Sequence, residues 1–167
     1  MAAATLFMVI IGILLLEYIL ETVLDILNAR RFDDPVPEEL QNLYDAAQYK
    51  KSQAYKKTKF RFGLFSSTVS LLLILGFLIF GGFAWVDGMA MGLSDHPVLQ
   101  ALIFFGILFL GSDLLSTPIS YYHTFVIEER FGFNKSTPAL FFTDKLKGWG
   151  LMALFGGGIL ALVMGFY

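Results

Sequence analysis

The sequence predicts an all-α, polytopic membrane protein with four transmembrane helices and helical cytoplasmic connectors, and three observations carry that prediction. Hydrophobic residues fill 56% of the 167 positions and charged residues 16%, with a mean hydropathy of +0.67, which moves the chain out of the soluble class. Four apolar stretches have the roughly 20 helical residues needed to cross a hydrocarbon core of about 30 Å. Runs such as TLFMVIIGILLL and TVSLLLILGFLIF are apolar on every side. Barrel strands would alternate, so helices remain as the way to satisfy every backbone amide within lipid.

The first span is placed near Thr5 to Leu27. It lacks the basic start, short core and A-x-A-like site of a secretory signal, and is expected to be a retained anchor. Glu17, Glu21 and Asp25 follow one another at intervals of four within it and form an acidic stripe on one helical face. Each costs roughly 2.5 to 3.5 kcal/mol at the bilayer centre, so the stripe should turn toward helices, water or a cavity.

The connector 28–63 carries Arg30, Arg31, Lys50, Lys51, Lys56, Lys57, Lys59 and Arg61. Asp34, Pro35, Pro37, Glu38 and Glu39 predict a helix start within it. A mixed stripe from Leu40 through Tyr55 to Phe62 recurs at helical spacing beside basic residues, which suits a helix lying on the membrane surface or rising from it. Such a helix suits anionic headgroups, although orientation alone also calls for juxtamembrane lysines.

The second and third spans fall near Leu64 to Val86 and Val98 to Ile119, with a short link, Asp87 to Pro97, that holds no Lys or Arg. The connector 120–147 holds the remaining cations, Arg130, Lys135, Lys145 and Lys147. The positive-inside rule then puts both long connectors in the cytoplasm and both termini outside or in a lumen. Asp113, beside Ser112, is the acid of the third span, and with no Lys or Arg inside any span it is expected to lack a basic partner. The fourth span runs near Gly148 to Tyr167. Gly12, Gly76, Gly81, Gly82 and Gly156 to Gly158 suit close helix packing.

The segment FVIEERFGFNKST, Phe125 to Thr137, is a polar interruption. Gly132 permits positive φ, Asn134 tolerates left-handed geometry, and Ser136 or Thr137 suits the cap of a helix begun by Pro138. Cysteine is absent, so disulfides and thiolate metal sites are excluded. No nucleic-acid partner is expected; the bilayer is.

The pattern F-V-I-E-E-x-F-G-F-N-K-x-T followed by Asp144-Lys145-Leu146-Lys147, with P-E-E-L at Pro37 to Leu40 and Y-K-K-S-Q-A-Y at Tyr49 to Tyr55, resembles the N-terminal membrane region of type I CAAX prenyl proteases, integral-membrane zinc metallopeptidases. The resemblance covers nearly the whole chain, read as one N-terminal transmembrane domain over 1–167. It implies a helical enclosure around a water-filled chamber and a zinc site that cleaves prenylated or other membrane-associated peptides. Glu17, Glu21, Asp25 and Asp113 become candidate chamber-lining residues. Glu128, Asn134, Asp144 and Lys147 become candidates for contacts between the connector and the catalytic region.

The family's His-Glu-x-x-His is not in this sequence, whose histidines are His96 and His123. Two histidines four apart on a helix share a zinc ion while the glutamate activates its water. The expectation is therefore that zinc and catalysis belong to a C-terminal region outside these residues, and that this chain binds no metal and is inactive alone. The alternatives are a non-enzymatic membrane interaction protein and a small proton or cation transporter built on the intramembrane acids.

Overall fold

A computed structural model describes residues 2–32, 34–35 and 45–166, and among these every regular element is helical. The anticipated helix start at Pro37 to Glu39, with Leu40, Leu43 and Tyr44 of the mixed stripe, lies outside the described residues. Four helical segments, Ala4–Ala29, Ala47–Ile79, Pro97–Phe131 and Pro138–Phe166, are long and apolar enough to span a bilayer. The chain divides into two compact units, Met1–Gly76 and Phe77–Tyr167.

The first unit holds α1, Ala2–Ala29, and most of α2, Ala46–Ile79. The partly covered positions of α1 include Ile11, Leu14, Tyr18 and Thr22, a stripe at spacings of three and four. Across this stripe the Tyr18 hydroxyl meets Thr68 Oγ1 at 2.7 Å, and Thr68 Oγ1 also donates to the Leu64 carbonyl at 2.7 Å. At the exit of α1, Phe32 lies edge-on to Phe60 at 6.1 Å, and Tyr49 donates its hydroxyl proton to the Asp34 carbonyl at 2.9 Å. α2 begins about eighteen residues before the apolar run at Leu64, so the basic half of the connector is the same helix as the second span.

The second span differs from the anticipated 64–86. α2 stops at Ile79, Gly81 takes a left-handed φ of 71°, and a separate helix α3 covers Gly82–Leu93. Gly81 adopts that conformation without the Cβ clash that other residues would meet. A Cβ on Gly82 would fall 2.4 Å from the Phe77 ring, so the glycine pair lets the chain turn under Phe77, which stacks edge-on with Phe83 at 4.9 Å. The link between the second and third spans, anticipated as Asp87 to Pro97, lengthens to 80–96 and contains α3.

In the second unit Val86 and Ala90, one turn apart on α3, are 1% exposed and pack where α3 meets α4, Pro97–Tyr122. α4 continues through a wider π-helical turn, His123–Glu128, into the short α5, Glu129–Phe131, where Ile127 and Phe131 are buried. α6, Pro138–Leu151, then leads through a second π-turn, Met152–Gly156, into α7, Gly157–Phe166, which returns along α4. Leu102 Cδ2 lies 3.6 Å from where a Cβ of Gly157 would stand. Most large apolar side chains elsewhere are exposed, as helices that face lipid or further protein must be.

Candidate functional site

Two rows of side chains in the second unit face each other along the seam between α4 and α6. Asp113, Thr117 and Tyr121 follow one another at spacings of four on α4, and Phe141, Lys145 and Trp149 do the same on α6. The helices run in opposite directions, so the two rows meet head to tail. The Lys145 ammonium donates to both Asp113 carboxylate oxygens, at 2.8 and 2.9 Å, and Trp149 Nε1 donates to Asp113 Oδ2 at 2.9 Å. At the other end, Tyr121 lies 5.6 Å from Phe141, 4.5 Å from Phe125 and 6.0 Å from Phe142. Lys145 also sits 5.7 Å over the Phe141 ring, so its charge is held between a carboxylate and a π face.

The expectation that Asp113 lacks a basic partner is therefore corrected. Lys145 lies outside the apolar run from Gly148, but α6 begins at Pro138 and carries Lys145 onto the face that meets α4. A lysine stem of four methylenes is long enough to carry the ammonium across to α4. The side chains of Lys145 and Asp113 are 17% and 26% exposed, so the pair is largely withdrawn from solvent. Asp113 also organises its own backbone, since Ser116 Oγ and Thr117 Oγ1 donate to its carbonyl at 3.0 and 2.6 Å just before Pro118. Beside the carboxylate an open depression of about 450 Å³ is lined by Phe105, Leu108, Phe109, Ser112, Ser116 and Met152.

The segment after α5 closes on itself. Gly132 has φ 74°; its N–H donates to the Glu129 carbonyl at 3.0 Å and that of Phe133 to the Glu128 carbonyl at 2.9 Å, the paired bonds of a Schellman helix end. No described non-glycine residue has positive φ, so Asn134 acts through its side chain rather than by left-handed geometry. Its Nδ2 donates to Glu129 Oε2 at 2.8 Å and its Oδ1 accepts from the Ser136 N–H at 2.8 Å. Thr137 is the cap of α6, its Oγ1 accepting from Leu140 N–H at 3.2 Å ahead of Pro138.

The remaining candidates stay local. Glu128 lies 3.7 Å from His123 Nδ1, and Lys147 reaches Asp144 at 3.4 Å on the exposed side of α6. Glu17, Glu21 and Asp25 are exposed on α1, one step around the helix from the Tyr18 stripe. The sequence assigns no site role to Lys145, Trp149, Tyr121, Phe125 or Phe141, although Lys145 and Phe125 fall within the motifs quoted above. The repeated spacing of four in both helices was the signal that pairs them.

With this geometry in place, comparison with known proteins decides the family. Residues 25–167 match the model of the CAAX prenyl protease N-terminal region, described as having five membrane helices. The chain belongs to that family. It is 31% identical over 163 residues to a CAAX prenyl protease 1 homolog of Arabidopsis thaliana, an alignment covering 93% of this chain and 38% of the relative. It is 34% identical over 139 residues to CAAX prenyl protease 1 of Saccharomyces cerevisiae, covering 77% of this chain and 31% of that protein. A crystal structure of S. mikatae Ste24p superposes with a TM-score of 0.87 at 33% identity, over 93% of this chain and 38% of the other. The chain thus spans under two fifths of the length of these relatives, and corresponds to the N-terminal part of a membrane protease family.

The resemblance implies a zinc site, and the described residues do not supply its ligands. Among the described residues no three His, Asp or Glu side chains stand close enough to share an ion. His96 and His123 flank opposite ends of α4, about 40 Å apart at 1.5 Å per residue.

Proposed function

We propose that these 167 residues form the membrane scaffold and chamber wall of an integral-membrane zinc metalloprotease that cleaves prenylated or other membrane-associated peptides, with its catalytic residues beyond Tyr167. The observation that carries this reading is the agreement of sequence and fold with CAAX prenyl protease relatives over 93% of the chain. Four spanning helices make it an integral multi-pass membrane protein. In this reading Glu17, Glu21 and Asp25 face a hydrated interior, both termini lie on the non-cytoplasmic side, and the connector built on Glu128 and Asn134 docks against the catalytic region with Asp144 and Lys147. Asp113 contributes by fixing α6 rather than by handling protons, because its carboxylate oxygens are committed to Lys145 and Trp149.

The test is cleavage of a prenylated CAAX peptide by the intact protein purified in detergent, with and without a zinc chelator. Chelator-sensitive cleavage that these 167 residues alone do not reproduce supports the proposal. Cleavage by the 167 residues alone overturns the division of labour, and proton flux in vesicles without any cleavage overturns the protease reading.

A further inference from the structure

Along α2 from Ala46 to Phe62 the sequence carries six cations and no Asp or Glu, although exposed helices commonly offset lysines with acids one turn away. Of the 34 residues of α2, about 20 suffice to cross the hydrocarbon, so roughly 14 stand outside it as a rigid extension of the span. Lys56, Lys59 and Arg61 are exposed in the two turns next to the apolar run. The Phe32–Phe60 edge contact ties the exit of α1 to this level of α2, and the Tyr49–Asp34 hydrogen bond holds the residues that follow nearer the start of the same helix. Arg30 and Arg31, exposed and distant in sequence, thereby join the same collar.

We infer that this collar, Arg30 and Arg31 with Lys56, Lys59 and Arg61, binds the phosphate headgroups of anionic membrane lipids. The chemistry fits in three respects. Guanidinium groups bond two phosphate oxygens at once, and lysines add mobile point charges. The collar lies at the base of a membrane span, where headgroups are the nearest anions in any bilayer. Lys56, Lys59 and Arg61 lie within about 8 Å along one continuous helix, and the aromatic contact brings the end of α1 beside them, so the backbone that carries the cations is already in place for a headgroup. Orientation during insertion accounts for cations at the end of one span and the start of the next, and the Phe32–Phe60 contact adds that the two stretches stand side by side.

The experiment uses the intact protein purified in detergent and mixed with phosphatidylcholine containing a minor fraction of phosphatidylserine, with retained lipid quantified by mass spectrometry. Retained phosphatidylserine should be enriched at least about tenfold over phosphatidylcholine at low salt and fall toward parity at high salt. The variant R30Q/R31Q/K56Q/K59Q should lose the enrichment, while R30K/R31K/K56R/K59R should keep most of it and shows that charge rather than folding is read. A third variant, R30Q/R31Q/Q48K/S52K, keeps the number of cations but moves two up the helix, and its enrichment should fall. No enrichment in the unaltered protein, or equal enrichment in the first or third variant, overturns the inference. Displacement of the lipid by inorganic phosphate at equal phosphate concentration also overturns it, since the site would then be one for free anions.

Discussion

Asp113 shows how one residue's meaning depends on the register of a helix that follows it in sequence. An acid in the middle of an apolar run marks a place where something polar must be near, and the partner is a lysine whose own neighbourhood looks like a connector. Breaking such a pair strands the surviving charge, which costs more than the pair itself contributes. Asp113→Asn should therefore destabilise the intact protein by about 2 kcal/mol even though the amide still accepts from Trp149, and Lys145→Met by a similar amount. The double variant D113N/K145M leaves no orphan charge, so its loss should be smaller than the sum of the two. Thermal unfolding in detergent, read as a double-mutant cycle, measures the coupling; strict additivity would show that the pair is incidental. At the same scale, Tyr18→Phe should cost no more than about 1 kcal/mol, because Thr68 keeps its bond to the Leu64 carbonyl.

At the scale of elements, the apolar runs revealed that helices exist and roughly where, since lipid leaves the backbone no alternative. Their ends were less legible. Phe83 to Val86 continue the hydrophobic run of the second span, yet a glycine pair redirects the chain at Gly81. α2 and α6 begin well before their apolar runs, because helix continuation depends on backbone bonds rather than hydropathy. The end of α5 was readable for a local reason: Gly132 at the left-handed position, then Thr137 and Pro138, are short-range codes that need no tertiary partner. Gly132→Ala should cost about 1 to 2 kcal/mol, with Gly132→Asn milder, and Thr137→Ala should cost about 1 kcal/mol. If the connector docks against a catalytic region, Gly132→Ala should also make the stretch 128–137 of the intact protein more sensitive to limited proteolysis. Unchanged digestion together with unchanged stability would remove the structural role assigned to that turn.

For the molecule as a whole, the informative feature is what this chain leaves uncovered. Glu17, Glu21 and Asp25 are exposed on α1, and opposite them on the same helix Ile19 and Val23 are exposed too. A lipid environment on both faces is untenable, because three carboxylates in hydrocarbon would together cost on the order of 8 to 10 kcal/mol, comparable with the whole stability of a domain. One face must meet lipid and the other must meet water or protein, and the relatives are more than twice as long as this chain. That asymmetry is directly measurable in the intact protein. Single cysteines at positions 17, 21 and 25 should react readily with a small charged thiol reagent, while cysteines at 19 and 23 should react at least about tenfold more slowly, since thiolates form poorly in hydrocarbon. Slow labelling at all five positions would mean that protein rather than water covers the acids. Fast labelling at 19 and 23 with protection at 17, 21 and 25 would reverse the helix and remove α1 from the chamber wall.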